Sequence, residues 1–60
     1  MTVREIEKTL KKAGWYELRT TGGHKHFAHK DYAHIITVPQ HKGDLKTGTA
    51  NAILKEAELK

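Results

Sequence analysis

No cysteine occurs among the 60 residues of this chain, so neither a disulfide nor a thiolate metal site reinforces the fold. No apolar run is long enough to span a bilayer, and no stretch has the make-up of a secretory h-region. With no sign of an oxidising compartment, the expected address is cytoplasmic. Repeats, linkers and low-complexity segments are also missing, so residues 1–60 read as a single domain. A domain this short buries only about 60% of the surface it exposes when unfolded. Its core is small, and a partner that covers apolar surface is expected.

What the chain does have is positive charge. Eleven Lys and Arg against seven Asp and Glu give +4 and a pI near 9.6, a balance that favours polyanionic partners such as nucleic acid or an acidic protein. The lysines are spread rather than massed, which a solvated surface also produces.

The pattern of residues predicts α-β-β-β-α. Thr2 with Glu5 three residues later makes a capping box, Met1 and Ile6 stand where a hydrophobic staple would, and Val3, Ile6, Leu10 and Ala13 line one helical face. Gly14 is the natural stop. Residues 15–20 suit a strand in which one of the adjacent aromatics, Trp15 or Tyr16, must be partly exposed. Thr21, Gly22 and Gly23 then turn the chain. From His24 to His29 the alternation puts His24, His26 and Ala28 on one face and Lys25, Phe27 and His29 on the other. Residues 30–33 connect to a third strand over 34–38, which Pro39, the one proline, ends. After a loop over 40–46 anchored by Leu45, a second helix begins near Thr47 or Thr49, with Ala50, Ile53, Leu54 and Ala57 facing the core. The expected class is α+β, a three-stranded antiparallel meander with both helices on one face.

That is the element order of double-stranded-RNA-binding domains. Such domains carry a dense lysine cluster at the start of the second helix. Here the position reads Lys46-Thr47-Gly48-Thr49-Ala50, which supports an ordinary double-stranded-RNA binder poorly.

Two blocks of residues carry a closer resemblance. The first is Gly14-Trp15, Arg19, Gly22-Gly23-His24 and Phe27. The second is Val38-Pro39, His41, Gly43, Leu45, Gly48-Thr49 and Ile53. In register across nearly the whole chain, they resemble the HicA family of bacterial toxins, small ribonucleases that cut mRNA and are silenced by a HicB antitoxin. The chain departs from the family at Gly23, usually serine, at Lys25, often a second histidine, and at Glu58, usually the glycine that ends the second helix. Without that glycine the helix is expected to run on or fray.

The resemblance implies a metal-independent endoribonuclease of a toxin–antitoxin system, with His24 catalytic, no cofactor, mRNA as substrate and a HicB-like antitoxin bound in a hetero-oligomer. Histidine suits that reaction because its pKa of about 6.5 lets it take or give a proton near neutrality, and RNA carries its own nucleophile in the 2′-hydroxyl. One histidine does not obviously serve as both acid and base, so His26, on the same strand face, is the candidate second group. Arg19, Lys25 and His41 are candidates for RNA contact, with Lys25 facing the other way on the strand. His29 and His34 read as surface residues.

Two other readings stand beside this one. His24 and His26 on one face, with His29, His34 or His41, could hold a metal, but no HExxH helix or carboxylate at an obvious ligand position accompanies them. Alternatively, the basic surfaces could hold RNA without cutting it, as a non-catalytic RNA-binding module.

Overall fold

The computed structural model, which describes residues 1–59, begins with the capping box that the sequence announces. The Glu5 amide donates to Thr2 Oγ1 at 3.2 Å and the Thr2 amide donates to Glu5 Oε1 at 2.8 Å, starting helix α1 (Val3–Lys12). The Thr2 backbone N–H, and then its hydroxyl, hold the Glu5 carboxyl below the usual range. Because the folded pKa is the lower one, this contribution to stability is present above the unfolded pKa and is lost as pH falls through the folded value.

Helix α1 ends in a Schellman motif. The Gly14 amide donates to the Lys11 carbonyl and the Trp15 amide to the Leu10 carbonyl, and Trp15 and Leu10 both enter the core. Gly14 has φ +101°, and a Cβ there would lie 2.7 Å from His29 Nε2. That ring cannot easily withdraw: Nε2 lies 3.1 Å from the Ala13 carbonyl, which it serves as donor, while Nδ1 accepts from the Asp31 amide at 3.0 Å. Gly14→Ala is therefore expected to cost about 1–3 kcal/mol, the range for a residue forced into disfavoured backbone. A urea melt checks this, and an unchanged midpoint would contradict it.

Three antiparallel strands follow in the order β1-β2-β3, with β1 spanning Tyr16–Thr21, β2 His24–His29 and β3 Tyr32–Pro39. Trp15 lies outside the strand and is 2% exposed, whereas Tyr16 is 53% exposed, which settles how two adjacent aromatics are accommodated. The two-residue turn at Gly22–Gly23 joins Thr21 to its partner His24, with positive φ at Gly22.

The third strand starts two residues earlier than its hydrophobic pattern suggests. Tyr32 pairs with His29 across a two-residue turn at Lys30–Asp31, and its ring stacks on Trp15 at 5.3 Å between centroids. A contact at long sequence separation, invisible to strand alternation, draws Tyr32 into the sheet. His29 and His34 are likewise more than surface residues. Both rings pack on Trp15 and Tyr32, and His34 Nε2 donates to the Glu56 carbonyl at 2.7 Å.

Helix α2 (Thr47–Glu56) closes the chain. Glu58 adopts φ +62°, with its amide bonded to the Lys55 carbonyl and the Leu59 amide to the Leu54 carbonyl. The expected run-on or fraying does not occur: the same Schellman closure forms with glutamate in the glycine position, at a backbone cost of roughly 1 kcal/mol.

Phe27 on β2 and Ile36 and Val38 on β3 face Ile6 and Leu10 of α1 and Ala50 and Ile53 of α2 in one core. Both helices therefore cover one face of the sheet, as expected. Leu45 pins the β3–α2 loop from inside, and its amide donates to the Met1 carbonyl at 2.7 Å. Among the described residues no helix is long and apolar enough to cross a membrane.

Candidate functional site

A cleft of about 420 Å³ opens where the glycine turn, the exit of β3 and the start of α2 meet, lined by Gly23, His24, Pro39, Gln40, His41, Leu45, Lys46 and Thr49. The β2–β3 register makes this convergence. His24 pairs with Pro39, and beyond them the Gln40 amide donates to the Gly23 carbonyl at 2.7 Å. The ladder thus carries the chain one residue past the proline and delivers His41 to the same opening as His24.

The five histidines divide by what their rings touch. His29 and His34 are tied to backbone near the C-terminal ends of α1 and α2, and His26 Nδ1 lies 3.2 Å from Thr37 Oγ1. The rings of His24 and His41 make no hydrogen bond to any described residue, and both residues line the cleft. Their imidazoles are left available to a ligand.

The remaining candidates lie in different places. Arg19 stands opposite His26 in the β1–β2 register, exposed on the face that the helices leave uncovered. Lys25 is on the helix-covered face, as alternation requires, with Nζ 3.3 Å from Glu7 Oε1 and 3.5 Å from Glu17 Oε1. Burial lowers its pKa, but the Glu7 hydrogen bond and charge, with the Glu17 charge, outweigh that, so the net shift is upward. The structure thus brings His24 and His41 together, keeps His26 and Arg19 beside them on the open face, and sets Lys25 behind the strand.

Three residues of this neighbourhood stand outside the sequence-derived candidates. Lys46 and Gln40 line the cleft, but they belong to a loop with no periodicity to mark them. Glu7 does carry a signal. It follows Val3 by four residues and precedes Leu10 by three, so it flanks the apolar stripe of α1, where a carboxylate needs a partner.

The start of α2 supplies the electrostatics. Its N-cap position is Lys46, no side chain caps the first amides and no acidic residue occupies the first turn. Those amides and the helix dipole favour an anion at this edge of the cleft. A Cβ on Gly23 would meet nothing within 4 Å beyond the adjoining residues, so space does not require glycine at this position. Among the described residues no three His, Asp or Glu side chains converge as a metal-binding group.

The sequence model of the family described as "HicA toxin of bacterial toxin-antitoxin" matches residues 3–59. No curated protein matches. The family match spans nearly the whole chain, which therefore belongs to the HicA toxin family of bacterial toxin–antitoxin systems.

Proposed function

We propose, taking membership of the HicA toxin family as the premise, that the cleft cuts single-stranded mRNA by attack of the 2′-hydroxyl on the adjacent phosphorus. The observation that carries this reading is that the two histidines without a partner among the described residues line one cleft. One imidazole takes the proton of the 2′-hydroxyl as O2′ bonds to phosphorus. The other gives a proton to O5′ as the P–O5′ bond breaks. The products are a 2′,3′-cyclic phosphate and a 5′-hydroxyl, and no metal is required. Lys46 and the first amides of α2 offset the charge that develops on the non-bridging oxygens.

His24 keeps the catalytic role that the resemblance implies, and the second acid–base role goes to His41 rather than His26. The His26 ring is engaged by Thr37 and does not line the cleft. On the open face, His26 and Arg19 receive the RNA beyond the scissile bond, a role that their pairing across β1 and β2 supports. Lys25 acts from behind the strand through its carboxylate partners. A HicB-like antitoxin with an acidic surface would silence the toxin by covering the cleft, in a hetero-oligomer.

Purified protein incubated with labelled RNA in excess EDTA tests the chemistry. Cleavage is expected to persist and to leave 2′,3′-cyclic phosphate termini. Activity lost to EDTA and restored by a divalent cation would overturn the metal-free mechanism. A protein that binds RNA yet makes no new termini would instead be a non-catalytic module.

A further inference from the structure

Glu7 lies outside the cleft and outside both motif blocks, yet its carboxylate joins β2, which carries His24, to the residue that follows β3 and precedes His41. Oε1 accepts from Lys25 Nζ at 3.3 Å and Oε2 accepts from Gln40 Nε2 at 3.0 Å. Lys25 is the neighbour of His24 and Gln40 the neighbour of His41, so one carboxylate on α1 spans the residues next to both imidazoles. The Lys25 contact is sheltered, with the Glu7 and Lys25 side chains only 14% and 21% exposed, while the Gln40 contact lies at the surface. Gln40 is fixed from two further directions, by its amide to the Gly23 carbonyl and by Nε2 to the Val38 carbonyl at 3.3 Å.

We propose that Glu7 is a positioning residue of the cleft: by holding Lys25 with one oxygen and Gln40 with the other, it fixes the separation and orientation of His24 and His41. The proposal rests on the acid–base reading above. The backbone ladder alone ends at the Gln40 amide, and residues 41–43 run on as loop to the bridge between Asp44 and Thr2. Without the carboxylate, the Gln40 side chain loses its tie to α1, and the residue before His41 is held to the sheet only by its backbone amide and by the longer bond from Nε2 to the Val38 carbonyl. Lys25 keeps only Glu17, whose side chain is 45% exposed. The group that loses most restraint is therefore His41, and with it the distance on which a two-histidine proton relay depends.

The test compares wild type, Glu7→Gln and Glu7→Ala as the full chain, with Leu54→Ala as a control that loses core packing on α2 outside the network. Glu7→Ala is expected to lower kcat by about 10- to 100-fold, the loss that follows from small misplacement of reacting groups, with KM nearly unchanged. Glu7→Gln should fall between, because an amide oxygen can accept from Gln40 or Lys25 but carries no charge. Leu54→Ala should lower the melting temperature and leave kcat in place. A Glu7→Ala enzyme with wild-type kcat, or a Leu54→Ala enzyme of equal thermal stability with the same loss of kcat, would overturn the positioning role. If the wild type cuts no RNA, the acid–base reading falls and the positioning claim is judged by NMR. Displacement of the His24 and His41 Cε1–H resonances in Glu7→Ala would support it, and resonances that stay in place would overturn it.

Discussion

His24→Ala is expected to abolish growth inhibition and to lower RNA cleavage by about 100- to 10,000-fold, the usual contribution of a positioned acid or base. The fold should be untouched. His24 is exposed at the first position of β2 and its ring makes no hydrogen bond to a described residue, so removing the imidazole opens no cavity and leaves no polar group unsatisfied. Backbone pairing with Thr21 and Pro39 does not depend on the imidazole. Circular dichroism, the urea midpoint and antitoxin binding should accordingly match the wild type. Cleavage retained by a folded His24→Ala protein would refute the assignment of this residue. Loss of cleavage together with loss of structure would mean that the turn, and not the acid–base chemistry, had been tested.

Sequence and structure agree where a physical rule acts over a few residues. The capping box, the positive φ at Gly14 and Gly22, and the alternation that sends Phe27 inward and His24 outward are all local, and each could be read from residue type and spacing. Disagreement begins where a distant contact decides. Tyr32 joins β3 because Trp15 lies beneath it, and Glu58 takes a glycine's conformation because the amides of Glu58 and Leu59 find the carbonyls at the end of α2. Assembly of the cleft belongs to the second kind. Strand alternation relates His24 to His26 because they share a strand, but the histidine that lines the cleft with His24 is His41, brought there by the hairpin register and the loop after Pro39. Periodicity has nothing to say about such a loop. Motif spacing marks His41 only as a candidate for RNA contact.

Phe27→Ala should produce the same loss of toxicity as His24→Ala through the opposite cause. Three residues along the same strand, Phe27 is fully buried against both helices. Truncating a buried phenylalanine costs about 3–5 kcal/mol, the lost transfer energy plus the cavity left behind. At roughly 0.05–0.15 kcal/mol per residue, a domain of this size holds only about 3–9 kcal/mol in all, so one substitution removes most of its stability. The variant should be largely unfolded at physiological temperature, with the near-ultraviolet signal of Trp15 lost and the urea midpoint moved sharply downward. A ligand that binds only the folded state restores stability in proportion to its concentration relative to Kd. Excess antitoxin should therefore recover the folded signal of Phe27→Ala, whereas it has no fold to rescue in His24→Ala. A Phe27→Ala protein that unfolds at the wild-type midpoint would contradict the packing described for this face of the sheet. Two substitutions on one strand, one silent in stability and the other ruinous to it, thus separate the scaffold from the chemistry it carries.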